Sequence, residues 1–346
     1  MSSDAFGLPR EIGNGLVLRW AQPGDIEKIA EFNFQQHNDN PDGEPEVWLR
    51  DWTHSLGGGD HPLTSPDDFT VVVDESNGGK IVSSAVLISQ TWSYDGIEFG
   101  CGQLELIATE AAYRRRGLVR EQMAVLHAKS EARGDLIQAI TGIPWYYRQF
   151  GYEMAVNLSG RRVLPWEKVT DLPDGRAEKY IMRPAQEDDI PNLLSLYNKN
   201  CSTSLIKCQR DERIMRHELN RPLSFGFAAR NRTIVETGGG DIAGYFEFIT
   251  SPQGIRIREL AVIDGASLRE VCWFAVRKIR EQHKAKVNTS QGISFALGES
   301  HPVYDALEPE LGKLVKPYAW YIRVPDLTRW LLHIKPLLDE RLTRSV

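Results

Sequence analysis

Residues 104–120, LELIATEAAYRRRGLVR, constrain what this chain can fold into more than any other stretch. The apolar run Leu104 to Thr109 has the length and composition of a buried strand. A short turn, three consecutive arginines (Arg114, Arg115 and Arg116) and a single glycine, Gly117, lead from it into an amphipathic helix, LVREQMAVLHAKSEAR. A strand feeding a helix through such a turn is an anion site. The first-turn N–H groups lack intrahelical partners, and the helix dipole adds partial positive charge. Gly117 lets a ligand approach the backbone, and guanidinium groups supply charge-assisted hydrogen bonds. The segment reads as a phosphate cradle.

Two familiar cradles do not fit it. A nucleotide-hydrolysing loop needs G-x-x-x-x-G-K followed by Ser or Thr, and no such lysine follows Gly117; a dinucleotide fold needs G-x-G-x-x-G, and only one glycine is present. What remains, Arg114-x-x-Gly117-x-Val119 after a strand, resembles the acyl-CoA signature of the GNAT N-acetyltransferases, Arg/Gln-x-x-Gly-x-Gly/Ala, with Val119 where the family has a small residue. Further on, after a second strand-like run from Leu136 to Thr141, Tyr147, Gly151 and Tyr152 fit the Tyr-x-x-x-Gly-Phe/Tyr segment of the same family. The resemblance implies an α/β fold with a mixed sheet whose fourth and fifth strands splay apart. The pantetheine arm of CoA would enter that gap and pair with the backbone of Ile107, Ala108 and Thr109. Its diphosphate would rest on Arg114, Arg115, Arg116, Gly117, Leu118 and Val119. Acetyl-CoA is the co-substrate this implies, with no metal.

Composition narrows the partners. A net charge of −6 argues against nucleic acid, which needs a basic face. Four cysteines, Cys101, Cys201, Cys208 and Cys272, form no Cys-x-x-Cys and suggest neither zinc nor a disulfide framework. The N-terminus has no basic-then-apolar signal, and no apolar run approaches the length of a membrane span. These features fit a cytoplasmic enzyme without a membrane partner, and they leave a homo-oligomer open.

The chain also repeats itself. Leu18-Arg19-Trp20-Ala21-Gln22-Pro23-Gly24-Asp25-Ile26 and Met182-Arg183-Pro184-Ala185-Gln186-Glu187-Asp188-Asp189-Ile190 share Arg, Ala, Gln, Asp and Ile at an offset of 164. Each precedes an amphipathic helix whose first turn the Asp can cap. A glycine-rich hairpin turn follows in both halves, at Asn77–Ile81 and Gly238–Ile242. These features predict two tandem GNAT domains: a tail over 1–13, a catalytic domain over 14–165, a linker over 166–178 and a degenerate copy over 179–325. The second copy has a fourth-strand equivalent, Arg258-Glu259-Leu260-Ala261-Val262, but Ser267 to Cys272 replaces the cradle, so its role is expected to be structural. A C-terminal amphipathic helix is expected over 326–346, with Leu327, Trp330, Leu331, Ile334, Leu337 and Leu338 on one stripe. The strand before it, Tyr318-Ala319-Trp320-Tyr321-Ile322-Arg323-Val324, resembles tandem-GNAT acetyltransferases of the enhanced-intracellular-survival type. In that family a sterol-carrier-like domain follows, whose terminal carboxylate acts as base; this chain stops at Val346 and carries no matching residue.

Acetyl transfer to an amine needs a polarised carbonyl, a deprotonated amine and a stabilised thiolate. The backbone N–H of Thr109 or Ala108 is the expected oxyanion donor. The resemblance makes Tyr147 the general acid, with Tyr146 beside it as the residue it could be confused with. Glu105, on the same strand, is a candidate base, because a carboxylate inside LELIA is costly to bury unpaired. His54, His61, His127 or a water relay are the alternatives. The segment 34–68 would cover the acceptor, a small-molecule or peptide amine; Asp39, Asp42, Glu44, Glu46, Asp51, Asp60, Asp67 and Asp68, with Trp48 and Trp52, would suit a cation. The rival reading is a non-catalytic CoA-binding or scaffolding protein on the same folds.

Overall fold

A computed structural model describes residues 4–37, 47–158, 160–202, 204–221, 230–251 and 254–345. Its strands arise where the sequence is apolar in short runs. They are β1 (Arg10–Gly13), β2 (Leu16–Trp20), β3 (Phe69–Asp74), β4 (Lys80–Tyr94), β5 (Ile97–Thr109), β6 (Ile137–Ile140), β7 (Glu153–Leu158), β8 (Arg162–Pro165), β9 (Tyr180–Pro184), β10 (Ile206–Cys208), β11 (Arg232–Thr237), β12 (Ile242–Ser251), β13 (Gly254–Val262), β14 (Gly292–Phe295) and β15 (Tyr318–Arg323). The helices that matter below are α1 (Ile26–Gln36), α2 (Val47–Gly57), α3 (Leu118–Ala132), α4 (Ile190–Asn200), α5 (Glu212–Leu219), α6 (Leu268–Gln282), the short α7 (Lys284–Val287) and α8 (Val303–Ala306), α9 (Leu327–His333) and α10 (Lys335–Arg344).

The strands form two mixed sheets. One runs β1-β2-β3-β4-β5-β6-β15-β7, with β10 pairing the far end of β4; the other runs β8-β14-β13-β12-β11-β9. Parallel pairing occurs in both, β5 with β6 and β13 with β14, among antiparallel neighbours. β3, FTVVVD, is buried along its whole length, as expected of a strand covered on both faces. One face packs α1 and α2 through Ile29, Phe32, Leu49 and Leu56; the other packs α3 through Leu118, Met123, Val125 and Leu126.

The chain divides into two compact units. The first comprises residues 1–156, 205–209 and 319–346, the second 157–204 and 210–318. This differs from the contiguous division expected from sequence. Residues 10–13 pair as a strand with β2, β8 at 162–165 pairs β14 of the second sheet, and β15 pairs β6 of the first. A strand joins whichever edge satisfies its backbone, and nearness in sequence does not decide that. The expected C-terminal helix is two helices. It breaks at Ile334, two residues before Pro336, whose ring and missing N–H forbid a continuous ladder. Ile334 is buried and Trp330 packs on Phe99 at 4.8 Å, while Leu327, Leu331 and Leu332 stay exposed.

The sequence repeat has a structural counterpart. Arg19 grips Asp25 with both terminal nitrogens, at 2.6 and 3.1 Å, and Arg183 grips Asp189 at 2.6 and 2.8 Å. Each Asp also accepts from the backbone N–H three residues earlier, Gln22 at 2.9 Å and Gln186 at 2.8 Å, closing a capping box before an eleven-residue helix.

Candidate active site

The site begins where β5 leaves β6. The two strands pair only at Cys101–Ile137, Gly102–Gln138 and Gln103–Ala139; beyond Gln103 the β6-facing edge of β5 has no strand partner among the described residues. On its other edge β5 stays paired to β4 up to Ser83–Thr109, with one irregularity between Ser84–Ala108 and Val86–Glu105. There β5 carries an extra residue, and Leu106 adopts a left-handed φ of 51°. A bulky residue rarely adopts that conformation without cause, and bulges of this kind re-aim side chains beside active sites. Ile107, Ala108 and Thr109 thus lie on a strand end that is fixed on one edge and open on the other. The Thr109 hydroxyl meets Ser83 Oγ at 2.8 Å.

The cradle lies five residues past that strand. Arg114 Nε donates to the Thr109 carbonyl at 3.1 Å, Arg115 is left-handed at φ 64°, and Gly117 is left-handed at φ 81° and begins α3 without a side-chain cap. A Cβ built on Gly117 would meet nothing within 4 Å, so its role is conformational and the space above it is open. Arg114, Arg115 and Arg116 are all exposed. Arg116 stacks on Tyr113 at 4.8 Å and donates to the Ala112 carbonyl at 3.0 Å, whereas Arg115 has no side-chain partner among the described residues. Leu118 is buried, and half-buried Val119 anchors the first turn of α3 to the core. The second unit differs at this point. Ser267 caps α6 by accepting from the Glu270 N–H at 3.3 Å, so that helix end is already satisfied.

Tyr147 is buried in a short 3-10 turn, Tyr146–Phe150, and its ring lies against Gly142 just past β6. It belongs to the apolar cluster that also holds Leu104, Ile107 and Val119, which brings strand end, cradle helix and phenol together. Tyr146 crosses it edge-on at 5.1 Å and is less buried. Sequence reasoning did not single out Tyr321, on β15. Its hydroxyl accepts from the Trp145 N–H at 2.5 Å and donates to the Ile143 carbonyl at 3.3 Å, and its ring stands 5.7 Å from that of Tyr147. It fixes the loop that aims Tyr147.

Glu105 is half-buried and accepts from Gln103 Nε2 at 2.6 Å; no Lys or Arg pairs with it among the described residues. Desolvation pushes its carboxyl up to about 7, against which the Gln103 and Leu106 hydrogen bonds act only partly. The histidines are otherwise engaged. Nε2 of His127 meets the buried Tyr152 hydroxyl at 2.8 Å, and burial pushes His127 down to about 3. His61 bonds Thr64 Oγ1 at 2.9 Å, and His54 faces Glu27 at 3.4 Å.

Among the described residues of the segment 34–68 lies α2. Trp48 and Trp52, 5.9 Å apart, pack against the α1–α2 cluster, and Asp68 is spent on Lys129 at 2.9 Å and Arg133 at 3.2 Å. Asp39, Asp42, Glu44 and Glu46 lie outside the described residues. No group of three or more His, Cys, Asp or Glu that could hold a metal occurs among the described residues, and no helix there is long and apolar enough to cross a membrane.

Residues 44–155 match the acetyltransferase (GNAT) domain family. No curated protein sequence matches the chain. Among solved structures, it is similar to a GCN5-related N-acetyltransferase from Kribbella flavida (18% identity, 89% of this chain and 71% of that one, TM-score 0.63). It is also similar to one from Anabaena variabilis (15% identity, 90% and 73%, TM-score 0.60). N-myristoyltransferase of Saccharomyces cerevisiae, solved with myristoyl-CoA bound, matches at 14% identity over 91% of this chain and 84% of that one, TM-score 0.60. At such identities these structures speak for the fold alone. The stretch that matches the acetyltransferase (GNAT) domain family, residues 44–155, holds the splayed strands and the open helix terminus.

Proposed function

We propose that the chain is an acetyl-CoA-dependent N-acetyltransferase of tandem-GNAT construction, acting on a primary amine by direct attack while both substrates are bound. The observation that carries this reading is the open edge of β5 leading to a left-handed glycine and an exposed arginine, Arg115, with no side-chain partner among the described residues. An extended pantetheine arm pairs with the backbone of Ile107 to Thr109, and the diphosphate meets the N–H groups of Gly117 to Val119 with Arg115 above them. The N–H of Ala108 or Thr109 stabilises the oxyanion that forms as the amine adds to the thioester carbonyl. Glu105 takes the proton from the attacking nitrogen: a carboxylate whose pKa lies near 7 is matched to that task. Tyr147 gives its proton to the departing thiolate as the tetrahedral oxyanion collapses, re-forming the carbonyl and breaking the C–S bond. No covalent acyl-enzyme is needed.

The test is thiol release from acetyl-CoA across polyamines, aminoglycosides and lysine peptides. Amine-dependent release supports transfer. Tight acetyl-CoA binding with no release for any amine favours a CoA-binding scaffold, and no binding at all removes both readings.

A further inference from the structure

A carboxamide buried in α3 ties the cradle helix to the open strand end. Gln122 stands five residues past Gly117 and is fully buried, as are Thr70 and Ser83. Its Nε2 donates to the carbonyl and the hydroxyl of Thr70 on β3, each at 3.2 Å. Its Oε1 accepts from Ser83 Oγ on β4 at 2.6 Å. Ser83 Oγ stands 2.8 Å from both Thr109 Oγ1 and the Ala108 carbonyl of β5. One helix and three strands thus meet at a single side chain. Packing does not account for it. In the second unit α6 follows β13 as α3 follows β5, and it buries only Val, Cys, Phe, Ala and Ile side chains. A carboxamide costs more to bury than any of these.

Register and proton counting show what the carboxamide holds. The Glu110 N–H bonds the Val82 carbonyl at 2.9 Å, and along an antiparallel ladder hydrogen-bonded and non-hydrogen-bonded pairs alternate. Ser84–Ala108 is therefore a hydrogen-bonded pair and Ser83–Thr109 is not. Ala108 turns its N–H and carbonyl to β4. Thr109 turns both toward the open edge, where Arg114 Nε reaches its carbonyl at 3.1 Å. Ser83 has one hydroxyl proton and three oxygens around it. The Ala108 carbonyl already has a ladder donor, whereas Gln122 Oε1 has no other donor among the described residues. A buried amide oxygen left unmet is costly, so the Ser83 proton goes to Gln122 and Thr109 gives its own proton to Ser83. Thr109 is held twice, by its hydroxyl to the body of α3 and by its carbonyl to the turn that starts α3.

We propose that Gln122 and Ser83 are positioning residues, through which α3 sets the Thr109 N–H against the thioester oxygen of a ligand anchored at the cradle. The inference rests on the acetyl-transfer reading above. Thiol release and acetyl-CoA calorimetry test it in Ser83→Ala, Gln122→Met and the double variant. Ser83→Ala should lower kcat about 10-fold with acetyl-CoA affinity unchanged, because the diphosphate contacts stay in place. The two links act in series, so the double variant should lose no more than the worse single one. Unchanged kcat in Ser83→Ala, affinity that falls in step with kcat, or losses that multiply overturn the proposal. Should Gln122→Met not fold, Thr109→Val breaks the same series from its other end and takes its place. If no amine releases thiol from the parent, the proposed function fails and hydrogen exchange decides the positioning role alone. Ser83→Ala should then speed exchange of the Glu110 amide about 5–10-fold, the effect of one lost hydrogen bond, and leave the Gly102 and Gln103 amides as they were. Exchange at Glu110 that is unchanged, or sped no more than at Gly102 and Gln103, overturns it.

Discussion

Glu105 is a carboxylic acid below about pH 7 and a carboxylate above it, because burial raises its pKa from 4.5 to about 7. A base acts only when ionised, so kcat/KM should climb through about pH 7. Glu105→Gln should erase that rise and lower activity by about 10²-fold or more, measured as a pH–rate profile. Stability runs the other way. A raised folded-state pKa helps the fold fully below 4.5 and loses that help as pH climbs to about 7. Glu105→Gln should therefore melt no lower than the parent at pH 8; a lower melting temperature there would mean the carboxylate is a structural group. Tyr147→Phe keeps the ring packing and removes the hydroxyl with its proton, so kcat should fall by about 10²-fold while acetyl-CoA affinity holds. Both residues are candidates that the sequence alone points to, one from its odd place in an apolar run, the other from its spacing to Gly151. Gln103 and the left-handed Leu106 are not, since a bulge depends on the register of two strands and leaves no mark in either alone.

The start of α3 is the element on which cofactor binding turns in the proposed function. Arg115→Ala with Arg116→Ala removes charge from a backbone cradle that otherwise survives. Acetyl-CoA should bind about 10–100-fold more weakly, read by calorimetry, with the fold intact by circular dichroism. Unchanged affinity would place the diphosphate elsewhere. This element was readable because glycine, arginine and helix period coincide within seventeen residues of sequence. The two capped helices were readable for the same reason: Arg19–Asp25 and Arg183–Asp189 are local pairs. α2 was hidden because its apolar residues, Trp48, Leu49, Trp52 and Leu56, sit among acids and beside a glycine triplet that reads as a loop. A Cβ on Gly57 would come within 2.5 Å of Ile26 Cδ1, so any side chain there would force Ile26 to shift. Composition could not show that these glycines end a helix packed on α1.

At the scale of the whole molecule, each sheet closes with a strand from a distant part of the chain: β15 beside β6, β8 beside β14. The family resemblance marks residues 318–324 as a strand, but nothing in the sequence says which edge β15 or β8 will join, so the contiguous division drawn from sequence could not anticipate it. A chain ending at Pro317 lacks β15 and Tyr321, leaving β6 an open edge and the Trp145 loop untethered. It should be poorly soluble, with rapid hydrogen exchange at Ile137 to Ile140; protected amides there would show β15 to be dispensable. Trp145 and Tyr321 are 176 residues apart. A nascent chain on the ribosome therefore cannot finish its first sheet until β15 has been made, and β6 must wait, edge exposed, for that strand to emerge.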